Sequence, residues 1–364
     1  MILNHLVLKN FRNHSETDLY FDSKLVFFVG DNGEGKTNII EAIGMFSTLK
    51  SFRECSDNDI LQWGQPYYYM KSEFSSSMGE KVMEIGYQKE EGIKKKLKLN
   101  GNQITKRTDL VGELKCVIFS PSDLKIVEGG PAERRRFLDR FLSLIDKKYF
   151  ISLLEYNKVL KHRNALLKDK NCNPKEIVPW NNLLLEKGMF IKEKRELVLN
   201  QVKNIFKEYL FQLSGKKDDL DLVYKPNVVG PDDFHTKLNQ KLDYDRKVGF
   251  TTVGIHRDVI YIGDKNRDIT EFGSQGQKRS VAISLRTAEF KYMQSYLQDD
   301  PILLVDDVIR ELDIKRRRHF IELVGDCGQA FFTTTDLDGI SDYIGNLKVD
   351  KQVYLVKDGK VENG

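Results

Sequence analysis

Cysteines are few in this sequence and form no pattern. Cys55, Cys116, Cys172 and Cys327 are the only four in 364 residues, and no two of them form a CxxC pair. Zinc sites and disulfide frameworks need cysteines at close or regular spacing. The sequence therefore indicates neither, and we expect reduced thiols in a reducing compartment.

Long apolar runs are also missing. The first residues, MILNHLVLKNFRNH, contain no sustained apolar segment like that of a secretion signal. No stretch approaches the roughly 20 apolar residues of a membrane span. We therefore expect a cytoplasmic protein.

The net charge is small as well. The 58 Lys and Arg residues against 54 Asp and Glu residues give +4, which permits a nucleic-acid partner but does not indicate one without local clustering. The length predicts about two domains with a sizeable core.

The glycine-rich stretch GDNGEGKT, Gly30–Thr37, matches the pattern G-x-x-x-x-G-K-[ST]. The apolar run Val26–Val29 before it predicts a buried parallel strand, and Thr37–Phe46 carries apolar residues at helical spacing. Because glycine has no Cβ, the backbone can turn tightly there and aim N–H groups at an anion beside the helix N-terminus. The stretch predicts a triphosphate site rather than an ordinary glycine-rich turn.

Two side chains of this loop carry specific expectations. Lys36 is expected to reach the β- and γ-phosphates, and the Thr37 hydroxyl to bind Mg²⁺, which takes few protein ligands and shares phosphate oxygens. The residues assigned to nucleotide binding here are Gly30, Asn32, Gly33, Gly35, Lys36, Thr37 and Asn38.

A second apolar run, Ile302–Val305, ends in two carboxylates, Asp306 and Asp307. Ligands of parallel α/β sheets bind at the carboxyl ends of strands, so both carboxylates are expected beside the phosphate loop. We assign Asp306 to the metal and Asp307 to the attacking water; with Lys36 they form the predicted catalytic set. A strand that merely ends in polar residues is the alternative.

Between these motifs, the segment GSQGQ precedes a predicted helix. Its N-terminus suits an anion, although Ser274 could equally be an ordinary helix cap. On this segment alone, the cap is the preferred interpretation.

The remaining chain has three regions that differ in their predicted secondary structure. Residues 2–30 predict two strands with a turn-rich piece between them, and about 64–107 predicts an antiparallel subsheet with a hairpin at Asn100-Gly101. Residues 130–215 predict a helical pair or small bundle whose second helix follows Pro179. From about 247, strands return and end in a hairpin at Asp358-Gly359. The lysines of the subsheet could touch phosphates or keep an edge strand solvated: Lys94, Lys95, Lys96 and Lys98.

The motif order resembles that of ABC-type ATPases: GDNGEGKT, GSQGQ, ILLVDD and then ELD. Gly30 and Ser274 lie further apart than in transporter cassettes, which implies a lobe inserted into an SMC-like head. With LKNFRNH, FSPSDLKIVEGGPAERRRFLDR, LKHRNALL, GIHRD and GSQGQKR, nearly the whole chain resembles the RecF family.

The resemblance implies an α/β fold, an ABC-type P-loop ATPase head with a mixed sheet, helices and an antiparallel β-subsheet. The head would comprise residues 1–128 and 247–364, and a mainly helical lobe would comprise 129–246. It implies ATP and Mg²⁺ as cofactors, a head-to-tail homodimer on DNA near single-strand gaps, and weak DNA-stimulated ATP hydrolysis. It further implies RecR and RecO as partners, with RecA loading as the outcome.

Several residue roles follow from the resemblance alone. Ser274, Gly276 and Gln277 would contact the γ-phosphate held by the partner subunit's loop. Arg12 and Asn13 would contact nucleotide, or lie in a solvated turn.

The resemblance also covers the end of a later strand. Thr334 and Thr335 stand where related ATPases sense the γ-phosphate, and Thr335 is the assigned ligand; a strand-end threonine pair is the alternative.

Other motif residues have two open interpretations, structural salt bridges or DNA contacts: His256, Arg257, Asp258, Arg134, Arg135 and Arg136. The sequence departs from the family at Ile255 and Val259, and at Arg310 before ELD, which leaves those roles open. No glutamine near FSPSD matches the one in transporter cassettes.

Three rival functions are weaker. A structural SMC-type tether would need long heptad repeats and a CxxC hook, which are missing. A transporter cassette does not account for the long insertion. A P-loop ATPase or kinase acting alone does not explain why GSQGQ is followed by LLVDD.

Overall fold

The structure is a computed structural model of the chain. It describes residues 1–89, 94–215, 218–264, 267–309, 312, 316–317, 320, 324–325, 327–337 and 349–364. These residues form two compact units, the first of Met1–Asp123 with Leu285–Gly364 and the second of Leu124–Ser284.

The first unit contains two sheets. Its strands are β1 (Ile2–Phe11), β2 (His14–Tyr20), β3 (Leu25–Val29), β4 (Tyr67–Ser76), β5 (Gly79–Gln88), β6 (Lys94–Leu99), β7 (Asn102–Ile104) and β8 (Cys116–Phe119). Two helices, α1 (Lys36–Thr48) and α2 (Asp57–Ile60), lie between β3 and β4 in the chain.

The second unit contains β9 (Asp221–Lys225) and β10 (Val259–Gly263), which pair antiparallel. Its helices are α3 (Leu124–Glu128), α4 (Gly130–Ile145), α5 (Lys147–Lys168), α6 (Pro174–Leu213), α7 (Pro231–Gln240), α8 (Leu242–Val248) and α9 (Ile269–Phe272). The helix α10 (Gln275–Tyr296) starts in this unit, and the chain then returns to the first unit with β11 (Ile302–Asp306), β12 (Ala330–Thr334), β13 (Lys351–Lys357) and β14 (Lys360–Asn363).

One sheet has the order β14-β13-β3-β12-β11-β8, and all its pairs are parallel except β13 with β14. The strands β3, β11 and β12 start with apolar runs and are almost entirely buried, as expected where both faces of a parallel sheet are covered. The register sets Asp306 beside Thr333. The carboxyl ends of β3, β11 and β12 therefore share one edge.

The other sheet is antiparallel, with the order β2-β1-β4-β5-β6-β7. The predicted subsheet and its Asn100-Gly101 hairpin are confirmed, because β6 and β7 pair around that turn. The expectation of a turn-rich piece between the first two strands is wrong. His14–Tyr20 is a strand, since Thr17 and Leu19 alternate with solvent-facing residues and β1 supplies its pairing partner.

One hydrophobic core joins the two sheets through α1. Ile39, Ile40, Ile43 and Phe46 are all buried in it, together with side chains of β1, β3, β4 and β11. This confirms the helix predicted after the glycine-rich loop. The helix therefore starts at the loop and is fixed along its length by apolar packing.

The helices predicted across residues 130–215 are present as α4, α5 and α6. The predicted start after Pro179 is wrong, since α6 begins at Pro174 with Asn173 as its cap. Proline suits the first helical position because that N–H has no partner in the helix. Pro179 lies in the second turn, where it costs one backbone hydrogen bond without ending the helix.

The second compact unit ends at Ser284 rather than at 246, where the sequence suggests the end of the inserted lobe. Residues 247–284 pack with it because β10 pairs with β9, and because Arg195 of α6 donates to Ile255 O and Asp258 Oδ2. Within the described part of the chain, no helix has the length and apolarity needed to cross a membrane.

Candidate nucleotide site

The loop between β3 and α1 has a shape that requires glycine at three positions. Gly33 and Gly35 have φ angles of 91° and 114°, which side chains rarely permit. A Cβ on Gly30 would lie 2.1 Å from Val356 O of β13. The backbone therefore turns from the sheet edge into α1 with the helix N-terminus facing the loop, an arrangement that attracts anions.

Lys36 is buried at the start of α1. Its Nζ donates to Gly30 O at 2.8 Å and to Asp31 O at 2.9 Å. The ammonium group therefore lies against the beginning of the same loop. A positive charge enclosed by this backbone suits a polyphosphate.

Thr37 and Asp306 are brought together although 268 residues of chain separate them. The Thr37 hydroxyl donates to Asp306 Oδ1 at 2.6 Å, and the Thr333 hydroxyl donates to the same oxygen at 2.9 Å. Burial raises the pKa of Asp306 above its ordinary value, and the two hydroxyl hydrogen bonds reduce that shift. This contact joins the loop motif to the strand-end carboxylate, as their sequence positions suggested.

The oxygen donors at this point fit Mg²⁺. A hydroxyl and a carboxylate are hard oxygen ligands, and Mg²⁺ bound with phosphates takes only one or two protein ligands. Among the described residues no group of three or more His, Cys, Asp and Glu could enclose a metal by itself. The donor set thus suits a magnesium ion that shares phosphate oxygens.

Asp307 has a strained backbone and an unused acceptor. Its φ angle is 51°, and its N–H donates to Thr333 Oγ1 at 3.0 Å. Its Oδ1 is buried without a hydrogen-bond partner among the residues that the structure describes. Strain and unsatisfied polar atoms concentrate at functional sites, so this oxygen is available to a ligand or a water molecule.

Two asparagine side chains from different elements meet at the loop. Asn13 Nδ2 donates to Glu34 O at 2.9 Å, and Asn38 Nδ2 donates to Asn13 Oδ1 at 2.7 Å. Arg53 Nη1 in turn donates to Asn38 Oδ1 at 3.0 Å. Asn13 and Asn38 therefore lie at the site, and part of their hydrogen-bonding capacity holds the loop.

Arg12 lies next to these residues but is committed to a buried carboxylate. Its Nε and Nη2 donate to the two oxygens of Glu41 at 2.9 Å and 2.6 Å, and Nη1 donates to Asp59 O. Burial would raise the pKa of Glu41, but hydrogen bonds from Arg12 and Ser51 and the Arg12 charge outweigh burial and lower it. The sequence analysis did not identify Glu41. The feature that could have indicated it is a single carboxylate among the apolar residues of α1.

The threonines at the end of β12 also lie at this edge. Gly30 N donates to Thr334 O at 3.3 Å, and Thr334 Oγ1 donates to Asp336 O at 2.7 Å. Thr335 Oγ1 is 3.3 Å from Asp336 Oδ2. Thr334 thus contacts the first residue of the loop, whereas the Thr335 hydroxyl contacts Asp336.

The segment GSQGQ belongs to the second unit, where it starts α10. Ser274 N donates to Gln277 Oε1 at 3.0 Å, and Gln277 N donates to Ser274 Oγ at 3.3 Å. This reciprocal pair caps the helix, so the cap interpretation of Ser274 holds locally. Ser274 is exposed and Gly276 is half-buried, which leaves this helix N-terminus at the surface of its unit.

The motif residues of the second unit mostly build its interior. Asp258 is fully buried and accepts hydrogen bonds from Arg195, Tyr224 and Asn227 N. Arg134 is buried and donates to both oxygens of Asp268 at 2.7 Å. These contacts match the structural salt-bridge interpretation.

His256 is likewise an interior group. Its Nε2 is 3.0 Å from Thr251 O and its Nδ1 is 2.8 Å from Tyr156 OH. Burial lowers its pKa to about 4, so the ring is neutral near pH 7, donating to the carbonyl and accepting from the phenol.

Other basic residues differ in their exposure. Arg135 Nη1 donates to Asp258 O at 2.6 Å, whereas Arg136 and Arg257 face solvent. Lys95 binds Asp57 and Lys98 lies 3.5 Å from Glu84. Lys96 is exposed. Arg310, Glu311 and Asp313 lie outside the described residues.

Comparisons with known proteins give one family. The model of the RecF/RecN/SMC N-terminal domain matches residues 2–353. The DNA replication and repair protein RecF of Leptospira interrogans is 54% identical over 363 residues, which cover 100% of both chains. The protein of the same name from Natranaerobius thermophilus is 33% identical over 377 aligned residues, covering 99% of this chain and 97% of the relative.

Solved structures agree with the sequence relatives. The recombination mediator protein RecF-ATP in the RecFOR pathway has a TM-score of 0.90 at 30% identity, covering 100% of this chain and 97% of that one. The Smc head domain from Pyrococcus furiosus has a TM-score of 0.57 at 17% identity, covering 99% and 95%, and shows a shared fold alone. The predicted fold class, an α/β head of the SMC-like ATPase type with an antiparallel subsheet, is confirmed. The chain belongs to the RecF family, within the wider group of RecF, RecN and SMC proteins.

Proposed function

We propose that this chain is an ATP-dependent DNA-binding protein of DNA replication and repair. The observation that carries the proposal is the hydrogen bond from the Thr37 hydroxyl to Asp306, which joins a phosphate loop to a strand-end carboxylate. The names of the relatives, DNA replication and repair protein RecF, and the RecF-ATP structure support it.

Each residue at the edge of the parallel sheet has a role in this proposal. Backbone N–H groups of Gly30–Thr37 bind the phosphates, and Lys36 neutralises the β- and γ-phosphates. Thr37 and Asp306 hold Mg²⁺, which would neutralise charge on the phosphate oxygens. Oδ1 of Asp307, which has no hydrogen-bond partner among the described residues, orients a water molecule for attack.

Asn13 and Asn38 would line the loop, and Thr335 would approach the γ-phosphate. Arg12 would contact nucleotide through Nη1, because Nε and Nη2 donate to Glu41 whereas Nη1 uses only one of its two protons, for Asp59 O. We expect slow hydrolysis, on the order of one turnover per minute or less, because Asp307 is one methylene shorter than the glutamate of transporter cassettes.

The segment GSQGQ supplies the dimer contact in this proposal. The exposed helix N-terminus at Ser274, Gly276 and Gln277 would complete the anion site of a second copy, bound head to tail. ATP would then lie between two chains and hold them together. For this role residues 1–128 and 247–364 would act as the ATPase head and 129–246 as the helical lobe, although 247–284 pack with the second unit.

DNA is the macromolecular partner in this account. The closed dimer would bind duplex near single-strand gaps through phosphate contacts, which makes binding sensitive to salt, and DNA would stimulate hydrolysis. The RecFOR pathway of the related structure supports RecR and RecO as partners, with RecA loading as the result. The site of action would be the cytoplasm.

Light scattering tests the shared site. We expect a dimer with ATP and Mg²⁺, a monomer with ADP, and a monomer with ATP for Lys36→Ala and Ser274→Arg. Asn173→Arg is the matched control, since it adds the same charge at another exposed helix cap of the second unit; it should dimerise like the wild type. A monomer that still hydrolyses ATP would instead favour a P-loop ATPase or kinase acting alone, and an ATP-independent dimer would favour a structural DNA tether.

A further inference from the structure

The hairpin between β13 and β14 contacts the phosphate loop from outside. Gly359 N donates to Glu34 O at 3.0 Å, and Asp358 N donates to the Glu34 carboxylate. Two consecutive N–H groups of the turn thus bind one residue of the loop. The loop and the turn are distant in sequence, so the contact is a feature of the folded unit.

The turn also fits tightly against the chain that precedes β2. Gly359 has a φ angle of 73°, and a Cβ there would lie 2.1 Å from Asn13 O. The side chain of the same asparagine donates from Nδ2 to Glu34 O at 2.9 Å. The Glu34 carbonyl therefore accepts two hydrogen bonds, one from the turn and one from Asn13.

The next carbonyl of the loop is held as well. His14 Nε2 lies 3.1 Å from Gly35 O, and its Nδ1 lies 3.0 Å from Thr17 Oγ1. Because a carbonyl has no proton, Nε2 donates to Gly35 O and Nδ1 accepts from the threonine. The buried ring is thereby fixed at both nitrogens.

Peptide geometry transmits these contacts to the phosphate side. In a trans peptide the C=O group and the following N–H group point in opposite directions within one plane. Fixing Glu34 O therefore orients Gly35 N–H, and fixing Gly35 O orients Lys36 N–H. These are N–H groups of the end of the loop and the start of α1, where an anion binds.

We propose that the Asp358–Gly359 turn, with Asn13 and His14, positions the phosphate loop for the nucleotide. The proposal rests on ATP binding at Gly30–Thr37. None of these contacts needs to touch the nucleotide. Their effect is to fix two carbonyls of the loop and therefore the directions of the two N–H groups that follow them, which lowers the ordering cost of binding phosphates.

The chain contains a matched control for the turn. Asn100 and Gly101 have φ angles of 51° and 78°, and Asp358 and Gly359 have 50° and 73°. Both pairs connect two antiparallel strands by a two-residue turn. A Cβ on Gly101 would meet nothing within 4 Å. Gly359→Ala and Gly101→Ala therefore introduce the same backbone strain, but only Gly359→Ala disturbs the loop.

Calorimetric titration of the full chain with ATP and Mg²⁺ separates the two effects. We expect the Kd for ATP to rise by at least about tenfold in Gly359→Ala and to stay within about twofold of wild type in Gly101→Ala. Thermal unfolding should show a loss of stability in both variants, and a larger one in Gly359→Ala, because its added Cβ also meets Asn13 O. Equal ATP affinity in a folded Gly359→Ala protein would overturn the proposal.

A second pair of variants tests the contact without straining the turn. Glu34→Ala removes the acceptor of the Asp358 N–H, whereas Glu34→Gln keeps a carbonyl oxygen there. We expect ATP affinity to fall in Glu34→Ala and to be restored, to within about twofold of wild type, in Glu34→Gln. Equal affinity in Glu34→Ala and wild type would overturn the proposal. A wild-type protein that binds no ATP would overturn the proposed function, and this inference with it.

Discussion

Two clusters of charged side chains, one in each unit, differ in how many of their hydrogen-bonding atoms are used inside the chain. In the second unit, Arg195 donates from all three guanidinium nitrogens, to Asp139, to Asp258 and to Ile255 O. In the first unit, Asp307 keeps one buried carboxylate oxygen without a partner among the described residues. The hydrogen-bonding atoms of the charged side chain are all used in the first case, and one is available in the second.

The difference separates structural from functional charge. A buried arginine whose donors all have acceptors within the chain has little capacity left for DNA or nucleotide. A buried oxygen without a partner is costly unless a ligand or water uses it. Sequence motifs marked Asp258 and Asp307 as candidates, and the complete set of donors to Asp258 distinguishes it from Asp307. Each of the following predictions tests one side of this difference.

The largest expected effect is on stability in the second unit. Arg195→Met should lower the free energy of unfolding by about 3–5 kcal/mol, because it leaves the buried Asp258 without its counter-charge. Urea unfolding followed by circular dichroism measures this change. A loss below about 1 kcal/mol would mean that the ion pairs of Arg195 contribute little to the stability of the second unit.

A second effect concerns pH. Burial lowers the pKa of His256 from 6.5 to about 4, so below pH 6.5 the unfolded chain binds a proton that the folded chain excludes. The free energy of unfolding should therefore fall as pH falls from 6.5 to 4, by up to about 3 kcal/mol from this group.

The variant His256→Gln should lack this fall while keeping a donor and an acceptor. Unfolding free energies of wild type and variant, measured from pH 7 to pH 4, give the comparison. Parallel curves for the two proteins would show that His256 is not held neutral by the fold.

The third prediction concerns the unsaturated carboxylate. Asp307→Asn should reduce ATP hydrolysis by about a hundredfold, because the amide cannot polarise water as a carboxylate does. Binding of ATP should change by less than about threefold. Phosphate release in a single turnover measures the first and calorimetry the second. Unchanged hydrolysis would assign the water to another group.

The smallest effect is expected at an exposed arginine. The Arg136 side chain is 58% exposed and pairs with Glu133 one turn away, so Arg136→Ala should change the free energy of unfolding by less than about 0.5 kcal/mol. The same urea experiment provides the measurement. A weaker salt dependence of DNA binding in Arg136→Ala, without loss of stability, would make this arginine a phosphate contact.

The sequence allowed the centre of the nucleotide site to be predicted, but not its surroundings. The loop motif places glycines at the tight turn before α1, and parallel strands bring their carboxyl ends to one edge, so the meeting of Thr37 with Asp306 follows from local patterns. The Glu41–Arg12 pair and the contact between Gly359 and Glu34 depend on tertiary packing between distant segments. No local periodicity encodes such contacts.

The same reasoning explains two differences between the sequence expectations and the structure. Residues 14–20 form a strand because β1 pairs with them, although their composition is turn-rich. The second unit extends to Ser284 because buried ion pairs and the β9–β10 ladder connect segments that look separate in the sequence. In both cases, long-range pairing outweighs local propensity.

The central claim is that the loop Gly30–Thr37 binds ATP in the first unit. Its most direct test is a calorimetric titration of ATP with Mg²⁺ into wild type, Lys36→Ala and Lys96→Ala, the last being an exposed lysine of the same unit. We predict saturable binding by the wild type and by Lys96→Ala, and no detectable binding by a folded Lys36→Ala protein. Equal affinity in all three proteins would contradict the claim and require the nucleotide site to be sought elsewhere.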